Sequence, residues 1–210
     1  MLNALKRFFG IKIEQQEALA QNCYRAKYLV IDLELTGLDP KVDEIVSLAW
    51  LPIEEQRIIV GRSEHFINCE VNELKQSPIF HGIDRFAVKG GVPLRQALLE
   101  LQPLLDDHVL VFHNAELDWA FLKAAFQNAN LLLSSSVMLD TMKIEYKRLM
   151  NQGHEIASDD LNLARCRSRY QLPEYLTHNA LTDALATAEL FLAQLNQIAG
   201  AKGLTLKHLV

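Results

Sequence analysis

The sequence predicts an α/β domain built on a mixed β-sheet that opens with antiparallel strands and is flanked by helices. Three observations predict it. Half of the 210 residues are hydrophobic, enough for a sizeable core in one domain. From Tyr28 the chain reads as consecutive strands separated by turns. From Val92 it changes to helical spacing, with short apolar runs between the helices.

The elements follow in order. Residues 1–26 form an expected helical arm, opening with the amphipathic "MLNALKRFFGIKIEQQ". Charges within its apolar part and the lack of a small-residue cleavage site make it a poor signal peptide. In "YLVIDLEL", Tyr28, Val30, Asp32 and Glu34 alternate with Leu29, Ile31, Leu33 and Leu35, a strand with one wholly apolar face. "TGLDPKVDE" is turn chemistry, with Gly37 expected to supply unusual backbone angles. "IVSLAWLPI" and "RIIVGRSEHFINCEV" predict further strands around a turn near Glu54-Glu55. "PLRQALLELQPLLDD" predicts a helix with Leu94, Leu98, Leu101 and Leu105 on one face. "VLVF" at 109–112 is a buried strand, followed by a helix for which Asn114 suits the N-cap. "VMLDTMKIEYKRLM" predicts a strand turning into a helix, and another helix is expected behind Ser158 or Asp159. The last is the longest, with Leu181, Leu185, Ala188, Leu192 and Leu195 as its expected apolar stripe. The domain is expected over residues 27–200, with 201–210 as a tail.

The formal net charge of −5 excludes a broad, non-specific coat for nucleic acid, but not an enzyme that grips a strand end. Basic residues bunch at Lys143, Lys147 and Arg148 and at Arg165, Arg167 and Arg169, and read best as solvated helix faces. Cys23, Cys69 and Cys166 carry no disulfide or zinc spacing and predict reduced thiols in a cytoplasmic protein. No apolar run approaches the roughly 20 residues that span a bilayer, so no membrane partner is expected. Trp50 and Trp119 read as core.

Asp32 and Glu34 interrupt the most apolar strand. Two positions apart, they share one face about 7 Å from each other. Like charges so close repel, and a divalent cation between them relieves that cost. Oxygen ligands suit Mg²⁺ or Mn²⁺. Asp118 and Asp183 each fall near a helix start, where an acid alone would simply complement the helix dipole. Asp183 lies off the leucine stripe of its helix, which predicts that it is not a core residue.

Taken together and in order, these stretches resemble the DEDD exonuclease family, also called DnaQ-like, of the ribonuclease H-like superfamily. "DLELTGLDPKVDEIVSLA" is similar to its first motif, "HNAELDWAFL" to its second and "HNALTDALATAELFLA" to its third. The five residues from His178 to Asp183 resemble the histidine-containing (DEDDh) branch, and "FHGI" at 80–83 matches a lesser family feature. The third motif most resembles that of the bacterial DNA polymerase III epsilon proofreading subunit. Leu35 stands where proofreading enzymes carry threonine, and Leu117 where an aromatic is usual.

The resemblance implies a ribonuclease H-like sheet whose later strands run parallel. It also implies a 3′→5′ exonuclease acting on single-stranded or frayed ends, DNA preferred, to release nucleoside 5′-monophosphates. Asp32, Glu34, Asp118 and Asp183 would hold two ions, Mg²⁺ or Mn²⁺, with His178 as general base. An imidazole suits that task because its ordinary pKa lies near 6.5. Leu33, Thr36, Gly37, Leu38, His113 and Asn114 are the implied substrate contacts, Leu38 as an apolar wedge against the terminal base. The residues themselves suit His113 and Asn114 to an ordering and a capping role as well. A DNA polymerase is a conceivable partner, though little chain follows the last motif and a free-standing enzyme is expected. The alternatives are an RNA 3′-exonuclease of the same fold, ribonuclease T- or oligoribonuclease-like, and a non-catalytic nucleic-acid-binding module.

Overall fold

The computed structural model describes residues 16–134, 137–157, 159–176, 178–198 and 204–210. The amphipathic stretch at residues 1–15 lies outside the described residues. β1 (Tyr28–Leu35) is the centre of a six-stranded sheet. β2 (Ile45–Glu54) pairs with it antiparallel, and β3 (Arg57–Ile58) and β4 (Glu64–Ile67) take successive lengths of the far edge of β2. On its other side β1 is joined in parallel by β5 (Val109–Phe112), and β5 by β6 (Met138–Asp140). This is the expected mixed sheet, antiparallel in its opening strands and parallel in its later ones. One strand differs. The run expected from Arg57 is interrupted by a 3₁₀ turn at Val60–Arg62, so two short strands replace one long one. Glu55 and Gln56, both at positive φ, make the turn expected before it.

Seven α-helices, α1 (Pro78–His81), α2 (Arg85–Lys89), α3 (Leu94–Asp107), α4 (Ala115–Asn128), α5 (Thr141–Asn151), α6 (Leu163–Arg169) and α7 (Ala180–Ile198), and a second 3₁₀ turn at Leu206–His208 complete the named elements among the described residues. Each face of β1 is covered. Leu29, Ile31 and Leu33 pack with Leu98 and Leu101 of α3 and Phe121 and Phe126 of α4. On the opposite face Tyr28 and Val30 meet Ile144 of α5 and Ala184, Ala188 and Phe191 of α7. Trp50 is buried against Phe66, their rings stacked at 5.2 Å, as a core role requires.

Four expectations need correction. The buried line of α7 is Ala180, Ala184, Ala188, Phe191 and Leu195, while Leu181, Leu185 and Leu192 only flank it. Small side chains let the helix backbone approach the sheet, so the alanine face turns inward and the leucines fill the margins. Asp183 is therefore buried, at 8% exposure, contrary to its place off the leucine stripe. α6 begins at Leu163, later than Ser158 or Asp159, because Asn162 caps it by accepting from Arg165 N–H at 2.9 Å. The second basic bunch is a solvated face only in part: Arg165 is exposed, but Arg167 is not. Arg165 pairs with Asp159 and Asp160, and Arg167 is buried on Glu189.

The segments set apart as arm and tail meet each other. Cys23 N–H donates to Leu204 O, and Cys23, Ala26, Leu204, Leu206 and Leu209 share the core on the α7 side. All three cysteines are free thiols. Among the described residues no helix is long and apolar enough to cross a membrane.

Candidate active site

The site forms where one face of β1 runs out from under α7. Phe191 packs edge-on against Tyr28, with centroids 4.7 Å apart. Eight residues back along the helix, ~12 Å, stands Asp183; four residues on along the strand, ~13 Å, stands Asp32. The two lengths match, so the first turn of α7 delivers its acid to the acids of β1. Oxygens of Asp32, Glu34 and Asp183 lie within 4.8 Å of one another. The β1–β2 register shifts between Glu34 and Leu35, a strand irregularity of the kind that re-aims side chains beside functional sites. Asp118 comes from the first turn of α4, which follows β5, the parallel neighbour of β1. It is not one of the three tightly grouped acids, yet it lines the same cleft.

The electrostatics are those of an uncompensated cluster. Burial pushes the Asp32 carboxyl well up, and the charges of Asp118, Asp183 and Glu34 push it further. Glu34 rises to about 7 through burial and then Asp183. Asp118 rises through burial, then Asp140 and Glu34. Asp183 also rises through burial, although His178 N–H donates to its Oδ2 at 2.7 Å. Its other oxygen, Oδ1, is buried with no hydrogen-bond partner among the described residues. A buried acceptor of this kind is expensive unless something outside the protein satisfies it. Oxygen donors alone, several of them anionic, suit a hard divalent cation. The residues present fit such a group.

His178 ends the loop before α7 at positive φ, 69°, its side chain exposed at the rim of the cleft. Leu33, Thr36, Gly37, Leu38, His113 and Asn114 all line that cleft, whose volume is about 1160 Å³. Several are held differently from the sequence expectation. Gly37 is not at positive φ; it is glycine because a Cβ there would run into the Asp43 carboxylate. The Thr36 hydroxyl is used inside the turn, accepting from Glu44 N–H at 2.9 Å. Both ring nitrogens of His113 are engaged, with Thr141 Oγ1 at 2.8 Å and Leu161 O at 2.9 Å. Asn114 occupies the N-cap position in the left-handed region, but its side chain makes no cap bond. Asp140 supplies the cap instead, accepting from Asn114 N–H and Ala115 N–H, both at 3.1 Å. Sequence reasoning missed Asp140 and Asp43. Asp140 carried one local signal, an Asp directly before a helix start, where it also accepts from Met142 N–H. Leu38 is 76% exposed and free to meet a ligand.

A family model described as exonuclease matches residues 29–191, which contain all of these acids. The chain is 27% identical over 197 residues to a PolC-type DNA polymerase III of Thermotoga petrophila, covering 90% of this chain and 14% of that protein. It is 30% identical over 190 residues to the 3′-5′ exonuclease DinG of Bacillus subtilis, covering 88% of this chain and 19% of that protein. The chain thus spans less than a fifth of either relative. Among solved structures, the zinc-bound complex of E. coli ExoI with single-stranded DNA shares the fold, with a TM-score of 0.69 at 14% identity. That match covers 82% of this chain and 41% of the other.

Proposed function

The chain belongs to the exonuclease family, and from that premise we propose that it is a 3′→5′ exonuclease of the DEDDh type, removing nucleoside 5′-monophosphates from single-stranded or frayed DNA ends. The observation that carries this reading is the convergence of Asp32, Glu34 and Asp183 with no protein cation among them and with Asp183 Oδ1 unpartnered. Asp32, Glu34, Asp118 and Asp183 are the residues that would hold metal. Bound there, a pair of divalent cations of the Mg²⁺ or Mn²⁺ kind supplies the positive charge that attracts the scissile phosphate and makes water acidic enough to attack it.

The chain's own groups do the rest. His178 takes the proton of the attacking water as the P–O3′ bond breaks, and the departing O3′ takes a proton from solvent to become the 3′-hydroxyl of the shortened strand; help of this kind typically gives ~10²–10⁴ in rate. Its backbone N–H, bonded to Asp183, ties the base to a carboxylate of the cluster. Leu38 packs against the terminal base, in a cleft that Leu33, Leu35 and Leu117 also line. The DNA polymerase named among the relatives and the single-stranded DNA held by the E. coli structure support a preference for DNA. Residues 27–200 would form the catalytic domain.

The test is digestion of DNA and RNA oligomers labelled at the 5′ end, with Mn²⁺ and with EDTA. A ladder shortening one nucleotide at a time from the 3′ end, abolished by EDTA and lost in His178→Ala, is expected. Release of labelled mononucleotide first would reverse the polarity, and faster loss of RNA would reverse the sugar preference.

A further inference from the structure

The cleft is strongly acidic, yet its proposed substrate is a polyanion, so a cation along its wall calls for explanation. Of the described residues lining it, Lys75 is the only lysine or arginine. Its side chain remains 44% exposed. The ammonium is bonded to Asp43 Oδ1, and that hydrogen bond, more than anything else, raises the lysine's pKa and keeps it charged. Asp43 in turn is fixed by the turn that carries Leu38. It accepts from Asp39 N–H at 2.9 Å, faces the Thr36 hydroxyl at 3.4 Å and fills the space beside Gly37. A second link beside it, from Asn72 to Glu44, ties the same two segments together. Lys75 itself holds a positive φ of 52°, a region that costs a non-glycine residue energy and here aims the side chain across the loop.

Two facts separate Lys75 from the metal-type cluster. The charges that act on it are Asp43, Glu73 and Glu44, all outside the group of Asp32, Glu34 and Asp183. An ammonium also carries three donors, of which Asp43 takes one. We infer that Lys75 binds a backbone phosphate of the substrate other than the one being cleaved, sharing its ammonium between that phosphate and Asp43. The contact is not base-specific. It sets how strongly the strand is held beyond its terminal nucleotide, and it rests on the exonuclease reading above.

The test compares a five-nucleotide single strand with the dinucleotide d(TpT), which has only the scissile phosphate. Lys75→Gln should raise KM for the longer strand by about fivefold to tenfold, the range of one charge-assisted contact, with a smaller rise for d(TpT). It should also flatten the salt dependence of binding by about 0.7 per log unit. Lys75→Arg should restore most of the affinity. Asp43→Asn releases the ammonium, so KM for the longer strand should stay at the wild-type value or fall. A latch without substrate contact gives a different pattern. Asp43→Asn would then raise KM as Lys75→Gln does, or Lys75→Gln would affect d(TpT) as much as the longer strand; either result overturns the inference. If the wild-type enzyme releases no nucleotide from any strand, the nuclease reading itself falls.

Discussion

Two groups of buried acids in this molecule have opposite fates. Glu145 on α5 is fully buried, yet its pKa is lowered. Burial alone would raise it, but Arg148 bonds both of its oxygens, at 2.6 and 3.1 Å, and Tyr170 O–H donates at 2.8 Å. Arg169 stands 3.6 Å away. The carboxylates around Asp32 have no such company, and every one of them is pushed upward. The same chain therefore surrounds one buried acid with side-chain donors, while among the described residues the Asp32 group is given little beyond His178 N–H on Asp183. Where a fold supplies no internal partner for buried charge, the partner comes from outside, and the repulsion left behind becomes binding energy for it.

This contrast can be broken by experiment. The largest expected effect is on chemistry. Asp183→Asn should cut nucleotide release by about 10³-fold, the scale of lost electrostatic stabilisation at a reacting phosphate. Glu145→Gln, equally buried, should cost far less per folded molecule. Comparable losses from the two would mean that the uncompensated cluster has no special role. The next effect is on stability and runs the other way. Glu145→Ala leaves Arg148 and the Tyr170 hydroxyl unpaired and should destabilise the fold by about 2–3 kcal/mol, seen as a lower urea midpoint. A midpoint unchanged from the wild type would show that the ion pairs around Glu145 contribute nothing net.

The smallest effect sharpens the comparison through pH. Glu34 has a folded value of about 7 in the metal-free protein against an ordinary 4.5. The folded state then binds the proton more tightly, so its stabilising contribution is complete below pH 4.5 and is lost as pH rises through 7. EDTA-treated protein should melt a few degrees lower at pH 8 than at pH 5.5, the scale of about 1–2 kcal/mol in a domain of this size. Mn²⁺ should restore most of the loss at pH 8, and Glu34→Gln should show less of the decline. A melting point that is the same with EDTA and with Mn²⁺ at pH 8 would refute the metal-site assignment.

Much of the site could be read along the chain because its parts are local. Asp32 and Glu34 share a strand face by their spacing alone, and Asp118 and Asp183 announce themselves by standing in early helical turns behind apolar strands or polar caps. What could not be read is how elements meet. The expected stripe of α7 is right at Ala188 and Leu195 but wrong at Leu181, Leu185 and Leu192, because hydrophobicity counts methylenes, whereas close packing on a sheet favours alanine. Asp140 and Asp43 act on Asn114, Ala115, Asp39 and Gly37, across loops that no periodicity joins. Arg167 looks solvated in sequence because its partner, Glu189, becomes a neighbour only after α6 and α7 have docked.

By itself, then, the sequence determined the order of strands and helices, the strand face that carries two acids and the residue types gathered for a hard cation. These follow from backbone periodicities of two and 3.6 and from side-chain chemistry, which act within a few residues. Only the tertiary structure decided that Asp183 would be buried beside Asp32, that Glu145 would be neutralised and the Asp32 group would not, and that Lys75 would stand over the turn of Leu38. Those outcomes depend on which surfaces pack together, and packing is settled by the shape and volume of the whole core rather than by any one segment.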